Sequence, residues 1–462
     1  MYILFALIAV LSSAGYHYGP DIAELLRVGS GFTASAVCFG QFVSERELRT
    51  ITSNEVAGLA SYLTSFDIDE QQQSVTAFPR IFIIQEAAAR AGFASTSYYL
   101  GPDLGCRLSR DPDDISRTRR TMARALSKDI PLPSKPDNRL QKILNYEVSA
   151  AAVHTNQTRA IVVVHHGEVV GEVYQSHLGI TRDTPLLGWS MTKSVQAMLV
   201  GVAIQQGLFD LSTPSKYAQP STHPCAKSAA ITIGDLLVMS DILPFEENYG
   251  IHAMVPKMLY ATHDAGLFAI NTEGGRDDFD GDVHDWYYSS GLTNLLAREI
   301  RSYFDSDEAY WKFPQEQLFG PLGISAFALG TDPSGSFIAS SFSYATARSW
   351  AKLGQLLLQN GRWGDKQLIP EEFVHWIQVP HPYSGGHYGG SFWLNPSRVD
   401  NNHFWMTTSL PSDAYFMSGF EGQYTIIIPS LDAVIVRLGF TSEAKNKNWD
   451  KSALFGGIAI SL

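Results

Sequence analysis

Two strand–turn–strand patterns, one near each end of the C-terminal two-thirds of the chain, constrain its fold more than any other feature. Residues 160–164, the turn His165-His166-Gly167 and residues 168–174 read as a β-hairpin with glycine in its turn. Residues 423–428, Pro429-Ser430-Leu431-Asp432 and residues 433–438 read as a second. The segments between are helical in pattern, including residues 195–206 before Gly207 and residues 345–360 before Gly361. Strands at both ends with helices between them call for a sheet assembled from distant parts of the chain. The expected class is therefore α+β, with a central antiparallel sheet flanked by helices and an all-helical insertion. His165 and His166 are expected to face outward at their turn.

With 462 residues, the chain is longer than one hydrophobic core usually grows. Residues 129–136 carry three prolines in eight positions, and the domain boundary is placed there. Residues 16–138 then form an N-terminal extension without an assigned role, and residues 139–462 form the main domain. Within the extension, Ser44-Glu45-Arg46-Glu47 has the form of a capping box that opens a short helix. Residues 107–124, with six arginines and three aspartates, read as a solvated face. No repeat of 20 to 50 residues is visible, which argues against solenoids and propellers.

Residues 1–15 hold an apolar run from Tyr2 to Leu11, too short to span a bilayer comfortably. Small residues follow it, as in a secretory leader, although no Lys or Arg precedes it. A signal peptide or signal anchor is expected, with a buried N-terminal helix as the alternative. The location is then secreted, periplasmic or lumenal, with any membrane attachment through residues 2–14. Asn156-Gln157-Thr158 is a glycosylation sequon, relevant only in a eukaryotic secretory route.

Charge narrows the function classes. Lys and Arg number 34 against 46 Asp and Glu, a net charge of −12, which argues against a nucleic-acid partner. The three cysteines, Cys38, Cys106 and Cys225, are too few for a disulfide scaffold, and no C-x-x-C suggests a metal site. The thirteen histidines form no H-E-x-x-H or H-x-H-x-D pattern. Neither a metal nor an organic cofactor is expected. A Cys38–Cys106 bridge is favoured if the chain is exported, with two buried thiols as the alternative and Cys225 left free.

The chemistry concentrates at Ser190-Met191-Thr192-Lys193, an S-x-x-K at the start of an apolar helix. Residues three apart share a helix face, so the spacing sets an amine beside a hydroxyl. A serine hydroxyl needs such a base to become a nucleophile, and desolvation lets lysine serve. At the helix N-terminus the Ser190 N–H is also free to hold an oxyanion. The tetrapeptide recurs at Ser349-Trp350-Ala351-Lys352, placed mid-helix, and at Ser442-Glu443-Ala444-Lys445, in a polar segment. Only Ser190 has apolar sequence on both sides.

Two further elements follow. Tyr288-Ser289-Ser290 offers a phenol for proton relay, against the plain alternative of a tyrosine packed by its ring. Met417-Ser418-Gly419-Phe420 leads into the C-terminal hairpin as a strand whose glycine lets a substrate backbone approach.

In this order, S-x-x-K, Y-x-S and x-S-G resemble the serine β-lactamase and penicillin-binding-protein superfamily. The stretches around Gly188-Trp189-Ser190, Ser290-Gly291, Tyr344-Ala345-Thr346 and Gly419-Phe420-Glu421 are most similar to its class C-related branch of esterases, D-amino-acid amidases and 6-aminohexanoate-oligomer hydrolases. The segment at Cys38 and Leu104-Gly105-Cys106 resembles the extension preceding the hydrolase domain in many bacterial members. The resemblance implies a β-lactamase/transpeptidase-like fold and an acyl-enzyme mechanism on small ester, amide or peptide substrates. It implies Ser190 as nucleophile, Lys193 as general base and Tyr288 as proton relay. Ser290 stands in the place of an asparagine, and Ser418 and Gly419 border the substrate. The N–H of Phe420 would join that of Ser190 in the oxyanion hole. Met417 replaces the lysine that holds the β-lactam carboxylate, which argues against antibiotic hydrolysis. Phe420 also stands where many relatives carry histidine, and the acidic residues 274–285 are longer than usual before Tyr288. The competing reading is the same fold with reduced chemistry, acting as a binding or scaffolding protein.

Overall fold

The computed structural model of the protein describes residues 19–56, 62–82, 85–149, 157–218, 231–250, 253–272, 285–395, 409–441 and 449–462. The leader at residues 1–15, Asn156 of the sequon, Cys225, the S-x-x-K copy at Ser442 and residues 274–284 of the acidic segment lie outside them.

The extension begins with helix α1 (Gly19–Cys38) and carries an antiparallel meander, β1 (Thr64–Asp69), β2 (Ser74–Pro79), β3 (Ser95–Gly101) and β4 (Gly105–Leu108). Helix α1 packs on β2 and β3, and a Cys38–Cys106 disulfide ties its end to β4. The stretch Ile22–Val43 is long and apolar enough to cross a membrane, yet half of it is buried against the rest of the protein. Helix α2 (Pro112–Met122) follows, opened by Asp111, whose side chain accepts from the N–H groups of Asp113 and Asp114.

Two local expectations are corrected here. Ser44 does not cap a helix: the next helix, Leu48–Asn54, starts after Glu47 without a side-chain cap, and Ser44 instead donates to the Pro185 carbonyl at 2.7 Å. Ser44 closes the π-helical turn Phe39–Val43 and so is committed before the capping position arrives. The arginine-rich stretch is not wholly a solvated face either. Arg107 is buried and bonds Asp114 and Thr118, while Arg124 grips Asp103 and the Ser325 carbonyl.

Residues 133–137 run along the edge of the main sheet, with Val169 N–H donating to the Pro133 carbonyl at 2.7 Å. Helix α3 (Asn138–Glu147) leads into the hairpin β5 (Thr158–His165) and β6 (Glu168–Tyr174). The chain then becomes mostly helical through α4 (Met191–Gln205), α5 (Met254–Tyr260), α6 (Ser290–Arg301) and α7 (Ala347–Leu358). It returns as β7 (Trp393–Leu394), β8 (Tyr415–Gly419), β9 (Gln423–Ile428) and β10 (Ala433–Gly439). These strands join the first hairpin in a six-stranded antiparallel sheet of order β7-β8-β9-β10-β5-β6.

The seam between the two ends is the β10–β5 ladder, where Val434, Ile435 and Val436 face Val164, Val163 and Val162. All residues of β9 and β10 are buried, the polar Gln423, Thr425 and Arg437 included, so these strands do not alternate between a buried and an exposed face. Helix α7 covers β9, β10 and β5. His166 sits exposed at its turn and pairs with Asp432 of the opposite hairpin at 2.8 Å. The apolar core is continuous from α1 and β4 into the main sheet, crossing the boundary region at residues 129–138.

Candidate active site

Local backbone chemistry fixes the position of Ser190. Gly188 is held by a hydrogen bond from its N–H to the Ser343 carbonyl at 2.8 Å. A Cβ on Gly188 would lie 2.5 Å from the Trp350 ring and 2.7 Å from Ser343 Oγ, so only glycine fits. Trp189 then takes φ +48°, a left-handed conformation that costs a non-glycine residue about 1–2 kcal/mol. Thr192 Oγ1 secures the bend by donating to the Trp189 carbonyl at 2.6 Å. The turn leaves Ser190 as the N-cap of α4 with its side chain making no capping bond. The hydroxyl is therefore available for chemistry.

Lys193, one turn on, is almost fully buried and donates to Ser190 Oγ at 3.0 Å. Its other partners are Ser290 Oγ at 3.0 Å and the Ser340 carbonyl at 3.1 Å. All three are neutral oxygens. Burial pulls the amine down to about 8 against the opposing pull of Glu247. Tyr288 lies under the same amine, 4.8 Å from Nζ to the ring centroid, and its ring packs against Tyr388 and Trp393. Burial, then Glu247, raises the phenol well above its ordinary range, partly offset by its hydrogen bond with Ser190. The two groups flanking Ser190 are thus driven in opposite directions, a lysine toward neutrality and a tyrosine away from ionisation.

Ser290 opens α6 and does more than fill an asparagine's place. Its Oγ donates to Glu247 Oε1 at 2.6 Å, and its N–H donates to Glu247 Oε2 at 2.7 Å. Tyr249 Oη donates to Glu247 Oε1 at 2.7 Å, and Tyr287 Oη accepts from the Glu247 N–H at 3.0 Å. Lys193, Ser290 and Glu247 thus form a chain of polar contacts. Sequence reasoning missed Glu247, Tyr249 and Ser340, because each lies in a loop without a motif of its own. The only signal was the polar cluster Glu246-Glu247-Asn248-Tyr249 after an apolar run.

The end of β8 completes the site. A Cβ on Gly419 would lie 2.2 Å from the Gly188 carbonyl, so the strand end abuts the turn before Ser190 only because residue 419 is glycine. Phe420 follows just beyond the strand, with its ring edge-on to Trp189 and stacked on Tyr249. Ser418, two residues before Phe420, is buried opposite Tyr424. Met417, in the same strand, is fully buried. Ser190, Lys193, Tyr288 and Ser290 are thus brought together, and Gly419 and Phe420 border them. Among the described residues no group of His, Cys, Asp and Glu is placed to hold a metal.

Comparison with known proteins places the fold. The family model for beta-lactamases matches residues 151–447. The chain belongs to the beta-lactamase family. Membership places it among the serine hydrolases, and the match leaves the N-terminal extension outside. Similar solved structures include a protein from Bacillus anthracis assigned as a 6-aminohexanoate-dimer hydrolase, 20% identical, TM-score 0.52, covering 73% of this chain and 89% of that one. A family VIII carboxylesterase is 14% identical with TM-score 0.52, covering 72% and 100%. A beta-lactamase-like protein from Bacteroides dorei is 17% identical with TM-score 0.51, covering 70% and 98%. No curated protein matches the sequence.

Proposed function

We propose that this chain cleaves small esters or amides through an acyl-enzyme on Ser190. The observation that carries the reading is the buried Lys193 ammonium nitrogen 3.0 Å from Ser190 Oγ, with no carboxylate in direct contact. A lysine near 8 is neutral in roughly a tenth of molecules at pH 7, and in that form it accepts the Ser190 proton. The freed oxygen attacks the carbonyl carbon, and the N–H groups of Ser190 and Phe420 take up the oxyanion. Collapse of the tetrahedral species breaks the bond to the leaving group, which receives a proton from Tyr288. Tyr288 then recovers a proton from Lys193 through the Ser190 oxygen environment. Water repeats the sequence on the acyl-enzyme, with Lys193 as base, and releases the acid.

The opposed shifts support these roles, a depressed lysine suiting a base and an elevated tyrosine suiting a donor. Esters and amides without a carboxylate beside the scissile bond suit the site, because Met417 offers such a carboxylate nothing. Export is part of the same proposal, since the Cys38–Cys106 bond fits an oxidising compartment. A fluorophosphonate probe tests the reading. Labelling of the purified protein that disappears in Ser190→Ala supports it, whereas absent labelling, or labelling that survives the substitution, refutes it. A panel of p-nitrophenyl esters and anilides, with nitrocefin alongside, then ranks the substrates.

A further inference from the structure

The extension has a place in the active site. Beside Ser190 opens a cavity of about 360 Å³, more than twice the ~150 Å³ that accommodates benzene in a protein core. One wall is the extension's helix α1, through Leu25, Leu26 and Phe32. The facing wall is α5 of the hydrolase domain, through Val255 and Leu259, and Phe420 stands at the side. Among the described residues no charged one lines this space.

Helix α1 is held against α5 by specific contacts. A Cβ on Gly31 would lie 2.2 Å from the Tyr260 carbonyl, so the two helices approach as closely as glycine permits. Phe32 packs edge-on against Tyr260 at 5.4 Å, and Glu24 pairs with Lys257 at 2.7 Å. The disulfide fixes the far end of the helix. The wall is therefore a built part of the fold.

We propose that this cavity is the acyl subsite, and that the N-terminal extension selects substrates whose acyl group is a medium-length, uncharged hydrocarbon chain. The inference rests on the acyl-enzyme reading of Ser190. Its direction follows from the proton donor. The leaving group departs toward Tyr288, and neither Tyr288 nor Lys193 lines the cavity, whereas Ser190 does. The chain that stays on the enzyme is thus the one that lies against α1. Transfer of each methylene into such a space adds ~0.8 kcal/mol, or about fourfold in kcat/KM, until the cavity is full.

The test compares p-nitrophenyl acetate, butyrate, octanoate and dodecanoate on the full chain. The wild type is expected to favour octanoate over acetate by at least thirtyfold. Leu26→Trp and Gly29→Leu, which fill the cavity from α1, should each cut that ratio at least tenfold. Phe32→Ala, which enlarges it, should move the optimum toward dodecanoate. Opposite movements in the two kinds of variant exclude general damage to the fold. A wild-type ratio near one, or ratios that do not move in any of the three variants, overturns the proposal while ester hydrolysis and Ser190 labelling stand. Failure of Ser190 to label, with no ester cleaved, overturns the acyl-enzyme reading and this proposal with it.

Discussion

The same tetrapeptide pattern occupies two buried helix starts in this molecule, with different outcomes. At Ser190 the serine is the N-cap, its side chain makes no capping bond, and Lys193 reaches back to it. At Ser349 the cap is Thr346, whose Oγ1 accepts from the Ser349 N–H at 3.1 Å and pairs with the Ser349 hydroxyl at 2.9 Å. Lys352 turns away and donates to the Gly323 carbonyl at 2.7 Å. The second copy was expected mid-helix, but it lies in the first turn of α7, where a threonine three residues earlier engages the serine. One tetrapeptide thus leaves its serine hydroxyl outside the cap or ties it into the cap according to which residue caps the helix. The two copies also touch, since the Trp350 ring of the second lies against Gly188 and supports the strained turn of the first.

The sharpest way to break the comparison is to remove each serine. Ser190→Ala should lower kcat/KM by about four orders of magnitude or more, as loss of a covalent nucleophile does. Ser349→Ala should leave turnover within about twofold and cost roughly 1 kcal/mol of stability through its lost hydrogen bond. Steady-state kinetics and urea unfolding on both variants check this. Equal losses of activity would dissolve the distinction. Tyr288→Phe comes next. Removing a general acid typically costs 10²- to 10⁴-fold, and the loss should shrink for p-nitrophenyl esters, whose leaving group needs no proton. A loss equal for anilides and p-nitrophenyl esters would count against the donor role.

The two lysines differ in a way that pH reveals. If Lys193 is the base of the proposed mechanism, it works in its neutral form, so kcat/KM should rise with pH, tenfold per unit below about 8, and level off above it. Lys352→Met should leave that limb in place. Stability follows the same shift. The folded value near 8 lies below the ordinary lysine value of 10.5, so between these pH values the unfolded chain binds more protons. Unfolding free energy should therefore climb with pH across that window, by up to ~1.4 kcal/mol per unit, in wild type relative to Lys193→Met. Paired denaturation curves at pH 8 and pH 10 measure the difference, and a flat difference would mean Lys193 is not desolvated.

How much of this was legible in sequence follows from the range of the interactions. Both hairpins and the joining of the chain's ends were readable, because period and turn residues are local signals. The pairing of Ser190 with Lys193 was readable because a three-residue spacing encodes one helix face, whereas Tyr288 stood out from the other tyrosines only through the family resemblance. Glu247 was not, since a loop carboxylate earns its place from Ser290 and Tyr249 arriving from elsewhere. The Ser44 expectation went wrong for the same reason: the Pro185 carbonyl, far along the chain, took the hydroxyl. Helix α1 illustrates the limit most clearly. Its apolar sequence suits a membrane by length and composition, and only the fold shows it packed on a sheet and walling a cavity.

Glu247 supplies the mildest and most discriminating perturbation. Its charge acts on Lys193 from beyond direct contact and favours the ammonium form by attraction, raising what burial lowers. Glu247→Gln keeps the shape and an acceptor for Ser290 while removing that charge. The rising limb of the pH–rate profile should then move to lower pH, with more neutral lysine available at pH 7. The phenol of Tyr288, raised in part by the same carboxylate, should become easier to ionise. A limb that moves down with little change in the plateau identifies Glu247 as a positioning residue acting through Lys193. A limb that stays put would mean that Glu247 only ties Ser290 and Tyr249 into the loop. The same substitution should leave Lys352 untouched, because no contact links Glu247 to that lysine among the described residues, and this keeps the two S-x-x-K sites separable by experiment.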